Sequence, residues 1–141
     1  MSADPRAIDA GLALRAGLNG LVFVAPAAIV AQLLAEDSGE VTGVAGVVVI
    51  AVQVLGFCFA GWVVRRLVPG SPIATSALAG VICWGILQAV GIVTSLLRDQ
   101  DLTPLRWVAT GLLAALAASA GGLLARVERA PSSSRSPEDS P

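Results

Sequence analysis

Four long stretches of this sequence contain no charged residue, and this pattern constrains the fold more than any other feature. They run from Ala16 to Ala35, Val41 to Val64, Ile73 to Leu97 and Trp107 to Ala125, so each holds between 19 and 25 residues. An α-helix needs about 20 apolar residues to cross about 30 Å of hydrocarbon. Because a chain in lipid must satisfy its own backbone hydrogen bonds, each stretch is expected to be a helix. The sequence therefore predicts four transmembrane helices.

The composition agrees with a membrane protein and argues against a soluble globule. Only 13% of the 141 residues are charged, about half of the share that is usual in soluble domains. The chain has no His and two Cys, which excludes an imidazole base, a His metal ligand and a Cys-only four-ligand zinc site. The formal net charge of −1 gives no reason to expect nucleic acid as a partner. We predict no catalytic residue, no metal site and no cofactor.

The arginines indicate how the chain is oriented. With the N-terminus in the cytoplasm, the outer loops hold only Arg98 and Arg106 of the nine basic residues, and cytoplasmic segments normally carry the excess. We therefore predict a cytoplasmic N-terminal segment over 1–15, a transmembrane domain over 16–125 and a disordered cytoplasmic tail over 126–141. Arginine without lysine, together with frequent Ala, Val and Gly, indicates a GC-rich bacterial genome. The expected location is the bacterial cytoplasmic membrane, with several passes.

Short motifs typical of helix starts precede the spans. A capping residue followed by proline suits the first turn of a helix, and an acidic pair three residues apart resembles a capping box. These motifs are Asp4-Pro5, Ser71-Pro72, Thr103-Pro104 and the pair Asp37 and Glu40. The first of them predicts a helix that begins near Pro5, well before the membrane.

Two glutamines are expected at the same depth in the membrane. In an antiparallel hairpin, residues at equal depth have a constant index sum, and the sum for Gln53 and Gln88 has its midpoint in the turn between the second and third spans. Trp84 lies one turn from Gln88, which offers an acceptor for the indole N–H. We predict that these three side chains form an interhelical polar contact. The alternative is the lining of a permeation path, although two amides are too few to hydrate one.

Small residues recur at helical spacing in the spans. Small side chains let transmembrane helices approach closely, so these positions are predicted to pack helix against helix, and the last three to support self-association through the fourth span. The residues are Gly56, Ala60, Gly80, Gly111, Ala115 and Ser119.

A basic pair ends the second span. Arg65 and Arg66 are expected to fix the topology and to meet lipid headgroups. The run Gly61-Trp62-Val63-Val64-Arg65-Arg66, then Pro69, then Ala77-Leu78-Ala79-Gly80 resembles the central hairpin of a family of small four-helix bacterial, and in particular actinobacterial, integral membrane proteins of unknown function. The resemblance implies a four-helix membrane fold and brings no activity and no catalytic residues.

The predicted fold class is an all-α membrane protein with four transmembrane helices in two antiparallel hairpins. Similar features recur at offsets of 60 to 63 residues, for example Leu18-Asn19-Gly20 and Leu78-Ala79-Gly80. This recurrence leaves open a parallel 2+2 repeat, although Leu, Ala and Gly are common enough here to match by chance.

The function favoured by the sequence is a structural or accessory subunit that acts through helix–helix contacts in the lipid bilayer. Its expected partners are further copies of the chain or a larger membrane complex. The alternative is a small transporter or channel that forms its path only as an oligomer. Ionisable residues inside the membrane are the usual markers of proton relays and ion paths, and no span contains one. An enzyme is not expected.

Overall fold

The computed structural model describes residues 7–34, 41, 43–97 and 104–127, with the side chains of 94–97 and 104–106 left aside. These residues form four helices, which are α1 (Ala10–Leu34), α2 (Gly43–Leu67), α3 (Ile73–Leu97) and α4 (Pro104–Val127). The prediction of four apolar helices and no strand is confirmed for this part of the chain. All four helices are long and apolar enough to span a membrane.

The first helix begins later than its predicted start near Pro5. Residues 7–9 are not helical, and Asp9 caps the helix, because its Oδ1 accepts a hydrogen bond of 2.9 Å from the Leu12 N–H. The Asp9 carbonyl oxygen accepts another, of 3.0 Å, from the Ala13 N–H. An aspartate at this position satisfies an N–H that the helix cannot bond internally. The motif Asp4-Pro5 lies outside the described residues.

The other helix starts follow the proline pattern in part. Pro104 is the first residue of α4, as predicted, while Ile73 rather than Pro72 begins α3. The Ser71 hydroxyl is buried and has no hydrogen-bond partner among the described residues, so its side chain does not cap α3. The expected capping pair before α2 lies outside the described residues, and that helix begins at Gly43, where φ is +66°.

The helices are arranged so that α2 and α3 each contact the other three, whereas the described parts of α1 and α4 do not touch each other. The core between them is made mainly of small side chains. One cluster contains Leu12, Ala13, Ala16, Ala60, Val64 and Ala79. A second cluster contains Val24, Phe57, Cys83, Ala114 and Ala117.

Large apolar side chains cover the outside of the bundle. Leu33 on α1 is 77% exposed and Val44 on α2 is 82% exposed, and every helix contributes further Leu, Ile or Val residues to this surface. A soluble monomer rarely exposes so much contiguous apolar area. The surface is compatible with a multi-pass integral membrane protein whose helices face lipid.

Candidate functional site

Two helix backbones touch at the crossing of α2 and α4. A Cβ atom added to Gly61 would overlap the carbonyl of Ala118, and one added to Gly121 would overlap the carbonyl of Cys58. The two backbones therefore touch, which only glycine permits at these positions. The helix α3 contacts the same crossing, because the hydroxyl of Ser76 on α3 donates a hydrogen bond of 3.2 Å to the Gly61 carbonyl oxygen.

A second close approach joins α1 to α2. A Cβ atom on Gly20 would lie 2.9 Å from the Cβ atom of Ala60, and one on Gly56 would overlap the Val24 side chain. Gly56 and Ala60, which the sequence predicts to pack helices, thus lie at a helix crossing. Their partner is α1, and the spacing of small residues alone does not indicate which helix they face. Equal depth along two helices does not fix the direction in which a side chain points around either axis.

The third predicted packing position, Gly80, lies between α3 and α4. A Cβ atom there would be 2.5 Å from the Ala114 carbonyl oxygen and 2.6 Å from the Ala118 Cβ atom. On α4 the fully buried face is formed by Ala114 and Ala118 together with Gly121 and Gly122.

The other ridge of α4, which was predicted to serve self-association, is half-buried within the chain. Gly111 lies under the Trp84 ring, since a Cβ atom there would be 3.2 Å from it. The Ser119 hydroxyl donates a hydrogen bond of 2.8 Å to the Ala115 carbonyl oxygen of its own helix. All three residues of this ridge retain partial exposure.

A polar cluster centred on Thr110 joins α3 to α4. The Trp84 indole N–H donates a hydrogen bond of 3.0 Å to the Thr110 Oγ1, and the Gln88 amide nitrogen donates one of 3.5 Å to the same oxygen. The Thr110 hydroxyl itself donates to the Trp107 carbonyl oxygen at 3.1 Å. Thr110 therefore uses its one proton and accepts two donors. Trp84 and Gln88 thus meet at a shared acceptor, the Thr110 hydroxyl, as donors to it.

The predicted contact between Gln53 and Gln88 is not formed. No hydrogen bond joins these side chains, and the half-buried Gln53 amide bonds to no residue that the structure describes. Trp84 likewise takes Thr110 as its acceptor in place of the predicted Gln88. The sequence analysis does not single out Thr110 as the acceptor, because no spacing pattern distinguishes it from the other four threonines. The available signal is a threonine nearly two turns into α4, three residues after Trp107.

The basic pair at the end of α2 divides into two environments. Arg65 is buried, with 8% of its surface exposed, and its Nη1 donates a hydrogen bond of 3.4 Å to the Pro69 carbonyl oxygen. Arg66 is exposed, and its guanidinium lies 4.7 Å from the centre of the Trp62 ring. A cation over an aromatic face is stabilised by the ring quadrupole. The two arginines are thus not equivalent, and Arg66 is the more accessible to a headgroup.

The two cysteines are not joined by a disulfide. Cys83 is buried and Cys58 is half-buried, and both are free thiols. Within the described ranges no cluster of three or more His, Cys, Asp or Glu side chains is placed to hold a metal ion.

Comparison of the chain with protein families, curated proteins and solved structures finds no match. In this structure the helix backbones touch at Gly61 and Gly121, and the Thr110 hydroxyl donates one hydrogen bond and accepts two. Contacts of this kind hold helices in register.

Proposed function

We propose that this chain is an integral membrane protein that acts as a structural or accessory subunit through helix–helix contacts. The observation that carries the proposal is the crossing of α2 and α4, where Gly61 meets Ala118 and Gly121 meets Cys58 at the level of the backbone. Such a crossing leaves no space for a solute between these helices. A bundle closed in this way presents its outer surface to partners.

The polar groups between the helices support the same interpretation. Trp84 and Gln88 both bond to Thr110, and the Ser76 hydroxyl bonds to the Gly61 carbonyl oxygen. Interhelical hydrogen bonds of this kind stabilise transmembrane packing by about 0.6 kcal/mol each on average. They act as connections between helices, and groups bonded in this way are not available to line a path.

We also propose that the helices form two antiparallel hairpins related by a parallel repeat. Successive residues along α3 contact earlier residues along α4, since Gly80 lies against Ala118 and Trp84 against Thr110. By an offset of 60 residues, Cys58 corresponds to Ala118 and Gly61 corresponds to Gly121. Because Gly61 contacts Ala118 and Gly121 contacts Cys58, the contacts of the α2–α4 crossing are reciprocal. The correspondence is one of sequence offset and does not make the bundle symmetric, because α2 contacts α3 whereas the described part of α1 does not contact α4.

The location proposed for the chain is the cytoplasmic membrane of a bacterium, with both termini in the cytoplasm. The support is the uneven distribution of arginine between the two sides, which follows the positive-inside rule. A family of small four-helix bacterial membrane proteins, suggested by Gly61 to Gly80, remains our proposal for its relatives.

The test combines an assembly measurement with a transport measurement. Blue-native electrophoresis of membranes that express the full chain is expected to show a species larger than the monomer, and proteoliposomes are expected to show no ion flux above protein-free liposomes. Ala115→Leu, on the partly exposed ridge of α4, should reduce the larger species. Leu112→Ala on the outer face of α4 is the matched control. A monomer together with ion flux would contradict the proposal.

One observation favours the alternative of an oligomeric transporter or channel. The Gln53 amide, near the middle of α2, bonds to no described residue, and an unsatisfied amide in hydrocarbon is costly. A path between copies would hydrate it. If that alternative holds, Gln53→Leu will abolish flux in proteoliposomes while the thermal stability of the chain changes little.

A further inference from the structure

A groove of about 410 Å³ opens between the start of α1 and the end of α2. Asp9 is the capping residue of α1, and Leu67 is the last residue of α2. Because both helices are long enough to span a membrane, their ends lie where the hydrocarbon gives way to headgroups. The residues around the groove are Asp9, Gly11, Leu12, Arg15, Leu67 and Val68.

The groove carries a guanidinium that no described residue engages. Arg15 is exposed, and its side chain makes no hydrogen bond or ion pair with any residue in the described ranges. Its backbone carbonyl oxygen accepts a hydrogen bond of 3.1 Å from the side-chain amide of Asn19. A guanidinium presents a planar fork of donors that matches two phosphate oxygens.

The groove also carries a carboxylate that the fold holds in place. Asp9 Oδ1 accepts the Leu12 N–H at 2.9 Å, which fixes the side chain at the rim and leaves Oδ2 for another donor. Asp9 and Arg15 line the same groove, yet no ion pair within the described residues joins them. A ligand that bears one negative and one positive charge would complement the pair.

We propose that this groove binds the headgroup of phosphatidylethanolamine. The phosphate lies on Arg15 and the ammonium donates to Asp9, while Leu67 and Val68, both exposed, contact the glycerol and the first acyl carbons. Phosphatidylglycerol has the phosphate without the cation. Phosphatidylcholine has a quaternary cation that donates no hydrogen bond. The site requires only that the helices span a membrane, so it stands apart from the function proposed above.

The experiment is native mass spectrometry of the full-length protein, titrated separately with phosphatidylethanolamine, phosphatidylglycerol and phosphatidylcholine of equal chain length. The wild type is expected to bind phosphatidylethanolamine several-fold more tightly than the other two lipids. Arg15→Gln should weaken binding of all three lipids about fivefold, and Arg15→Lys should restore most of it. Asp9→Asn keeps a good capping residue and should abolish only the preference for ethanolamine.

Arg126→Gln, which removes an exposed arginine at the end of α4, is the matched control and should bind all three lipids as the wild type does. Size-exclusion profiles and thermal melting of each variant establish that it is folded. Equal affinity of the wild type for the three lipids would overturn the proposal. Unchanged binding by folded Arg15→Gln, or an equal loss in Arg126→Gln, would overturn it as well.

Discussion

At the scale of single residues, the glycines of this chain differ in what surrounds them. Those at the helix crossings have a neighbouring backbone where a side chain would stand, as Gly61 and Gly121 do. Gly85, inside α3, has no atom of another helix within 4 Å of the position that a Cβ would take. The two kinds look alike in the sequence, so they offer a direct test of whether backbone contact holds the bundle together.

Gly121→Ala is expected to lower the free energy of unfolding by about 1–3 kcal/mol, because the added methyl group overlaps the Cys58 carbonyl and α2 and α4 must separate. Gly85→Ala meets open space and should leave that free energy unchanged or raise it by up to about 1 kcal/mol, since alanine favours a helix over glycine. Titration with a denaturing detergent, followed by circular dichroism, measures both. Equal effects of the two substitutions would contradict the crossing.

The hydrogen bonds to Thr110 can be tested by substitution of single residues. Thr110→Val keeps the shape of the side chain and removes the acceptor of two hydrogen bonds, so it should destabilise the protein by about 1–2 kcal/mol. A double-mutant cycle with Gln88→Leu should be non-additive, because one bond is lost in either single variant. The cycle of Gln53→Leu with Gln88→Leu should be additive. Coupling in the second cycle and none in the first would refute this arrangement.

Some of the site could be predicted from individual residues, and some could not. That Gly56, Ala60 and Gly80 would face other helices follows from their small size and spacing in an apolar span. Which helix each would face depends on rotation about the helix axis, and the sequence does not encode that rotation locally. For the same reason the index sum predicts a contact of Gln88 with Gln53, although the Gln88 amide donates to Thr110.

At the scale of the elements, α3 coincides with its charge-free stretch, whereas α1, α2 and α4 each extend beyond theirs at one end or both. α2 continues to Leu67 through the two arginines, since Arg65 is buried against the turn and Arg66 lies over Trp62. Long basic side chains can bury their aliphatic part and still direct their charge to an interface. The first charged residue after an apolar stretch therefore indicates where the membrane span ends, but the helix itself can continue beyond it. In α1 the helix continues through Pro26, which lies inside it.

The start of α1 depends on one side chain. Asp9→Ala should destabilise the first turn by about 1 kcal/mol, whereas Asp9→Asn should have little effect because asparagine caps a helix nearly as well. Hydrogen–deuterium exchange of the full chain in nanodiscs is the measurement. Faster exchange is expected for the Leu12 and Ala13 amides in the alanine variant alone. Equal exchange in both variants would mean that another group caps this helix.

At the scale of the whole molecule, the apolar surface and the arginines predict how the bundle sits in the membrane. With an alkaline-phosphatase reporter, which is active only outside the cytoplasm, a fusion at Ser38 should be active and a fusion at the C-terminus inactive. The reason is that loops rich in arginine remain in the cytoplasm. The reverse pattern would overturn the orientation, and with it the side on which the proposed lipid groove opens.

The central claim is that the bundle is closed, so its two native thiols report on it most directly. Proteoliposomes of the wild-type chain are treated with a positively charged, membrane-impermeant methanethiosulfonate on both sides, and intact mass counts the labels. We expect no label on Cys58 or Cys83, since both lie in packed apolar helices. One label is expected on the control Gly70→Cys, at an exposed position in the turn after α2. Labelling of Cys83 in the folded wild type would show that water reaches the centre of the bundle, which contradicts the account.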